Sequence, residues 1–266
     1  MSTDSSTLIY ERKGEVLWLT LNRPEKLNAL NSELVDALHK TFVELETDHT
    51  IRIVVLRAEG RAFCAGLELD DDTFGTETAP QFVYAIQKKI GNIYRAMRRC
   101  PQPIISLVQG AACGGGFSLA LASDIRIAGE SARMNAAYIK AGLTACDMGC
   151  SYFLPRLVGL SVASELMMTG RFIKADRALR VNLVSEVVPD SQLSDAAQSY
   201  IDDMLTTSPM GLRLTKDGLN QNIDAQSLEA AMAIEDRQQA LVSLTRDAGE
   251  AIRAFFDKRP PSYSDR

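Results

Sequence analysis

Hydrophobic positions along this chain follow two regimes. Glu15 to Leu21 (EVLWLTL) is apolar and rich in β-formers, and it stops at Asn22-Arg23-Pro24, where proline removes a ladder donor; this predicts a strand. Asn31 or Ser32 can then cap a helix whose apolar positions Leu34, Leu38, Phe42 and Leu45 recur every three or four residues. Ile51 to Leu56 (IRIVVL) reads as a strand covered on both faces, followed by a helix from about Pro80 to Arg99 that Cys100-Pro101 ends. Ile104 to Val108 predicts another buried strand, Gly114 to Ala122 a helix, and Asp124 to Ala128 a further strand. Strands alternating with helices imply right-handed crossovers and an α/β fold. From about Ser191 the strands cease, and helical periodicity predicts Ser191 to Leu205, Gly211 to Asn220, Ser227 to Leu244 and Arg246 to Lys258. The expected organisation is therefore a body over residues 1–190 and a helical region over 191–266. Ala230, Ala231, Ala233 and Ile234 give one of those helices a small-residue face suited to close packing on the same chain or on another.

Composition narrows the function. The chain has 266 residues, 46% apolar and 6% aromatic, enough for a large core without staples. Its formal charge is −5 and no long basic run interrupts it, which argues against a nucleic-acid partner. No apolar run approaches the roughly 20 residues of a membrane span, and Met1 to Thr7 lacks the basic start and apolar stretch of a secretory signal. Cys64, Cys100, Cys113, Cys146 and Cys150 read as reduced thiols of a cytoplasmic protein. The only histidines, His39 and His49, stand near no other ligand pattern, so no metal is expected. His39 reads as an exposed helix residue.

One stretch points to chemistry. Strand 104–108 leads through Gln109 to Cys113 into Gly114-Gly115-Gly116 and then a helix, which gathers bare backbone N–H groups at the positive end of a helix dipole. An anion or a developing oxyanion suits that point, although three glycines also serve tight packing of a helix on a strand. The stretch is neither a P-loop nor a dinucleotide fingerprint, because no Lys-Ser or Lys-Thr follows and Gly-x-Gly-x-x-Gly is absent. A second turn, Arg61 to Leu69, follows strand 51–56, and the small residues Ala65 and Gly66 before Leu67 admit a close neighbour. If the two turns face each other, two N–H groups converge on one oxygen.

Leu21-Asn22-Arg23-Pro24 with Leu27-Asn28-Ala29-Leu30, Ala62-Phe63-Cys64-Ala65-Gly66, Gly114-Gly115-Gly116 with Ala122-Ser123-Asp124-Ile125, and Ala254-Phe255-Phe256-Asp257-Lys258-Arg259 together resemble the crotonase (enoyl-CoA hydratase/isomerase) superfamily over nearly the whole chain. The resemblance implies a spiral of ββα units with a C-terminal helical trimerisation region, hence a homotrimer or a dimer of trimers. It implies an acyl-CoA thioester as substrate, with no cofactor apart from the CoA that the substrate carries. The thioester oxygen would sit between the amides of Leu67 and Gly115, the coenzyme along Leu27, Ala29, Ala62 and Ala65, and the C-terminal contacts at Phe255 and Lys258. Lys258 reads equally as a solvated lysine in a last helical turn.

The chain departs from that pattern where acid–base chemistry is expected. Typical hydratases of the superfamily carry two glutamates, at positions that match Ser118 and Tyr138 here. Neither replacement titrates near neutrality, so two-glutamate hydration is not expected. Asp147, with Leu154-Pro155-Arg156 behind it, resembles the acidic loop of dienoyl-CoA isomerases with a one-residue offset. Its role is that of a general base or acid, or of a cap on a helix beginning near Met148. Ser118 also matches a serine of the branch acting on aromatic acyl-CoA. Tyr138 hydrogen-bonds a carboxylate or water, or only packs. The acidic run Glu68, Asp70, Asp71 and Asp72 reads as a solvated face, Glu165 and Glu235 as surface residues, and Cys113 and Cys146 lack a histidine that would activate a thiolate. A second enzyme class, hydrolysis or decarboxylation of a CoA thioester, would use the same oxyanion site. A non-catalytic acyl-CoA binding protein would keep it and dispense with the carboxylates.

Overall fold

The computed structural model describes residues 7–68 and 79–266. The main sheet holds β1 (Leu8–Lys13), β2 (Val16–Leu21), β3 (Ile53–Ala58), β4 (Ile104–Val108), β6 (Ile125–Gly129) and β9 (Glu186–Val188), in that spatial order. A smaller sheet holds β5 (Ala111–Cys113), β7 (Arg133–Asn135) and β8 (Ile173–Lys174). From β2 to β9 the main sheet is parallel, with Val16 opposite Ile53, Val54 opposite Ile104 and Ile105 opposite Ile125, and only β1 runs antiparallel at the edge. All six residues of β2 and the first four of β3 are buried, which is why their sequences are continuous apolar runs with no alternation.

One motif recurs along the body. A long strand of the main sheet leads to a short segment in a second layer, and a helix returns. The helices are α1 (Ser32–Leu45), α2 (Pro80–Arg99), α3 (Gly115–Ala122) and α4 (Cys150–Thr169), the last kinked at Gly159. After β4 and β6 the second-layer segments are the strands β5 and β7. After β2 and β3 they are single bridges, Leu30 with Leu67 and Cys64 with Ala112. This ladder of short parallel contacts is the ββα spiral expected of the crotonase fold, and it aligns the ends of successive units. α1 follows the predicted pattern, with Asn31 Oδ1 accepting from the Leu34 amide and Leu34, Leu38, Phe42 and Leu45 buried.

The strand expected over 51–56 lies at Ile53–Ala58, because its register is set by β2 on one side and β4 on the other; Ile51 and Arg52 are buried ahead of it. The helix expected to begin near Met148 begins at Cys150 instead. Met148 and Gly149 have φ of +48° and +81°, a left-handed pair that a right-handed helix cannot include.

The described chain divides into two compact units, one reaching to Cys100 and resuming over Ile104–Ala197, the other formed by Pro101–Pro103 with Gln198–Arg266. α5 (Ala175–Arg180) belongs to the first, and α6 (Leu193–Leu205) runs across the division. The second unit carries α7 (Pro209–Asn222), α8 (Leu228–Ser243) and α9 (Arg246–Asp257), whose starts are capped by Ser208, Ser227 and Thr245. Within it the buried Lys216 ammonium donates to the Gln102 carbonyl at 2.8 Å. The C-terminal tail is fixed there as well: Asp247 accepts from the Ser264 and Asp265 amides, and Arg213 grips the Asp265 carboxylate through two nitrogens at 2.9 and 2.7 Å.

Candidate active site

The site in the first unit is built from backbone before side chains. Segment 62–64 lies along β5: the Phe63 amide donates to Gln109 O, Cys64 to Ala111 O, and Cys113 back to Cys64 O. That pairing brings the turn at Ala65–Leu67 against the start of α3. A Cβ on Gly66 would meet the Cys113 carbonyl oxygen at 2.9 Å and the Gly115 nitrogen at 3.6 Å, and Gly66 itself holds φ +99°. Gly116 has less room still, since a Cβ there would stand 2.2 Å from the Cys64 carbonyl oxygen. Glycine at these positions is therefore a packing requirement, and it also keeps the backbone bare where the two turns meet.

Leu67 and Gly115 each leave an amide free at this junction. Leu30 donates to Gly66 O and Glu68 donates to Leu30 O, so the bridge between the chains passes over the Leu67 N–H. Gly115 is the first residue of α3, and its N–H has no carbonyl within the helix to bond. Among the described residues neither amide has an acceptor. The residues expected on the coenzyme side lie on two paired segments: Leu27 has φ +52°, its carbonyl accepts from the Ala65 amide at 3.0 Å, and Ala29 and Ala62 are buried.

Asn28 organises this strip in a way that sequence reasoning did not assign. Fully buried and at φ +54°, it accepts from the Arg23 amide and donates to the Glu59 and Ala62 carbonyls. One side chain thus ties the segment after β2 to the start of the turn after β3. Glu68, the described member of the acidic run, is occupied by Arg23 at 2.7 Å and Lys26 at 3.0 Å, and bonding to Lys26 and Arg23 holds its carboxyl below the usual range. Asp70, Asp71 and Asp72 lie outside the described residues.

Ser118 and Tyr138 face each other. Their hydroxyls are 2.7 Å apart, both residues are buried, and burial pushes the Tyr138 phenol well above its ordinary value. Tyr138 therefore does more than pack: among the described residues its hydroxyl pairs with that of Ser118 and with no carboxylate. Asp147 does not cap α4, because the capping position is Gly149 and no side chain bonds there. Its Oδ1 instead accepts from the Met148 amide at 2.7 Å and from the Gln87 side-chain amide of α2. Burial raises its carboxyl above the ordinary aspartate value, against the pull of those two donors.

Tyr94 and Met148 complete the constellation, and neither was expected from the sequence. The buried Tyr94 hydroxyl donates to the Gly115 carbonyl at 3.0 Å, with the Met148 sulfur 3.3 Å away. A Cβ on Gly115 would meet Leu30, the Tyr94 hydroxyl and the Met148 sulfur at 2.9, 3.1 and 3.2 Å, so these three side chains crowd the residue that carries one free amide. The left-handed conformation of Met148, unusual for an unbranched side chain, aims its sulfur there while leaving Asp147 beside it half exposed. Phe255 and Lys258 belong to the second unit, at the end of α9; Phe255 is exposed, and Lys258 closes the helix in a left-handed turn at φ +53°. Among the described residues there is no cluster of metal-ligating side chains, and no helix is long and apolar enough to cross a membrane.

A layered α/β spiral of this kind, with a parallel main sheet and a ladder of short second-layer contacts, is the fold of the crotonase class of enzymes. The chain belongs to the enoyl-CoA hydratase/isomerase family, whose model matches residues 11–266. It is 39% identical over 271 residues to a Mycobacterium tuberculosis protein named "Probable enoyl-CoA hydratase EchA12", covering 99% of this chain and 94% of that one. It is 35% identical over 258 residues to 1,2-epoxyphenylacetyl-CoA isomerase of Escherichia coli, covering 97% of each chain. The fold matches the crystal structure of enoyl-CoA hydratase from Bacillus anthracis with a TM-score of 0.92 at 30% identity, covering 98% of this chain and all of that one. The protein is thus an enzyme of the hydratase/isomerase family, and the non-catalytic reading gives way.

Proposed function

We propose that this enzyme moves a double bond along an acyl-CoA thioester, holding the enolate oxygen between the Leu67 and Gly115 amides and carrying the proton on Asp147. The observation that carries this reading is the pairing of one half-exposed, hydrogen-bonded carboxylate with a neutral Ser118–Tyr138 pair. Adding water across a conjugated bond needs one group to activate water and another to protonate carbon. Shifting a double bond needs one base that takes a proton from one carbon and returns it to another.

The step balances on Asp147 alone. Its carboxylate removes a proton from the α-carbon of a 3-enoyl thioester, the electron pair delocalises onto the thioester oxygen as a dienolate, and the same carboxyl returns the proton at the γ-carbon. The negative charge moves from Asp147 to the oxygen and back. Each preorganised N–H at that oxygen supplies on the order of 3 kcal/mol, and the dipole of α3 adds to it. Burial of Asp147 fits the role, because a carboxyl whose pKa is raised is a stronger base when ionised.

The coenzyme would lie along Leu27, Ala29, Ala62 and Ala65, with Phe255 and Lys258 contributed by a neighbouring subunit of a homotrimer. The exposed side chains of Leu219, Ile223, Leu244, Ile252 and Phe256 in the second unit support association. A solution mass near three times 29.1 kDa, or six times for a pair of trimers, is the expected result of light scattering; a monomeric mass would exclude it.

Product analysis tests the reaction. Incubation with trans-3-hexenoyl-CoA should yield the conjugated 2-enoyl thioester faster than crotonyl-CoA takes up water. Release of free CoA or carbon dioxide instead would indicate thioester hydrolysis or decarboxylation at the same oxyanion site.

A further inference from the structure

The two donors to Asp147 are arranged unequally about its carboxylate. Both the Met148 amide and the Gln87 side-chain amide bond to Oδ1, and among the described residues Oδ2 accepts nothing. Gln87 reaches this atom from α2, sixty residues away in the chain. Two helical turns further along the same face of α2, Tyr94 bonds the Gly115 carbonyl and touches the sulfur of Met148, the residue next to Asp147. A single helix therefore grips the carboxylate at one point and the oxyanion turn at another.

We propose that Gln87 is a positioning residue for Asp147: its amide fixes Oδ1 as an acceptor and so leaves Oδ2 as the one oxygen that takes and returns the substrate proton. A carboxylate with one oxygen doubly bonded cannot rotate about its Cβ–Cγ axis without losing both bonds, which holds the free oxygen in one direction. Exposed Gln87 has little other structural duty, as its backbone is already within a long helix. This inference rests on the assignment of Asp147 as the proton carrier.

The surroundings make the effect legible in a titration. Among the described residues, the ionisable groups that face Asp147 are Tyr94 of α2, Tyr138 of the 137–141 turn and Cys150 at the start of α4, and burial raises all three, which favours their neutral forms. Among the described residues no cation acts on the carboxyl, so its titration responds to burial and to the two amide donors. Removing a donor from the charged form raises a carboxyl pKa, and placing a cation there lowers it.

The experiment compares the wild-type enzyme with Gln87→Leu, Gln87→Lys and Asp147→Asn. Carbon-13 NMR of protein labelled at aspartate carboxyls follows the Asp147 midpoint, its resonance assigned by its loss in Asp147→Asn. Thermal unfolding checks that each variant is folded. Gln87→Leu should raise the midpoint by about one unit and Gln87→Lys should lower it by a similar amount, an opposition in sign that a merely structural contact does not produce. With trans-3-hexenoyl-CoA, the acid limb of kcat should move with each midpoint, and Gln87→Leu should lose about tenfold in kcat at its plateau, with KM within about threefold of wild type. An unmoved midpoint in Gln87→Leu overturns the inference. An unmoved plateau kcat overturns it too, even if the midpoint shifts, because positioning would then be immaterial. Full turnover by Asp147→Asn overturns the proton-carrier assignment itself and this inference with it. The NMR arm needs no substrate, so the two failures are told apart.

Discussion

Two side-chain pairs in the first unit, Ser118 with Tyr138 and Gln87 with Asp147, differ in burial and in their capacity to carry charge. Ser118 and Tyr138 are buried, neutral and bonded only to each other's hydroxyls, and burial moves the phenol further from ionisation. Gln87 and Asp147 are partly solvated, one member ionises, and among the described residues one carboxylate oxygen has no donor. A low-dielectric setting favours whichever partner carries no charge, so on the proposed reading the neutral Ser118–Tyr138 pair leaves proton transfer to Asp147. The contrast teaches that position along the family pattern does not by itself carry function; the ability to change charge at working pH does.

The comparison can be broken most decisively at Asp147. Asp147→Asn should lower turnover on a 3-enoyl-CoA at least a hundredfold, about 2.7 kcal/mol of barrier, with acyl-CoA affinity within a few fold by calorimetry; unchanged turnover would remove the proton carrier. Gly116→Ala forces a methyl group against the Cys64 carbonyl and should lower stability by about 3 kcal/mol in urea unfolding, together with loss of activity. An unaffected variant would mean that the two turns are not clamped together.

The inner pair should respond more weakly. Ser118→Ala or Tyr138→Phe strands one buried hydroxyl at a cost of about 1 to 2 kcal/mol in stability, with kcat changing less than about fivefold; a hundredfold loss would return the chemistry to the inner pair. The subtlest signature is pH. Asp147 must be ionised to act, so the acid limb of kcat/KM should fall above the ordinary aspartate value of about 3.9. Folding raises this pKa and so favours the protonated form. Its stabilising effect is complete below that ordinary value and is lost as pH rises through the higher native one.

Much of the scaffold was legible because local rules determine it. The apolar runs of β2 and β4, the Asn31 cap of α1 and the Pro80 and Cys100 limits of α2 follow from residue chemistry within a few positions. The crowding of glycines was legible as a site for bare amides. β1 escaped notice because an edge strand reading LIYERK is half polar and resembles a loop in isolation. Asn28, Gln87 and Tyr94 escaped for another reason: each acts across tens of residues, and no local pattern marks an amide or phenol that will meet its partner only after the sheet has formed. Met148 was hidden because an unbranched side chain in a left-handed conformation has no sequence signal, and that conformation displaces the start of α4.

The thiols described above have a practical corollary. Burial pushes Cys64 and Cys150 up to about 12, and Cys100 is buried as well, so maleimides or iodoacetamide should spare all three. Cys146 alone is exposed, one peptide bond from the proposed proton carrier. If Asp147 does carry the proton, a dye attached there should brighten or dim as an acyl-CoA binds, turning the native protein into its own fluorescent titration reagent without any engineered anchor.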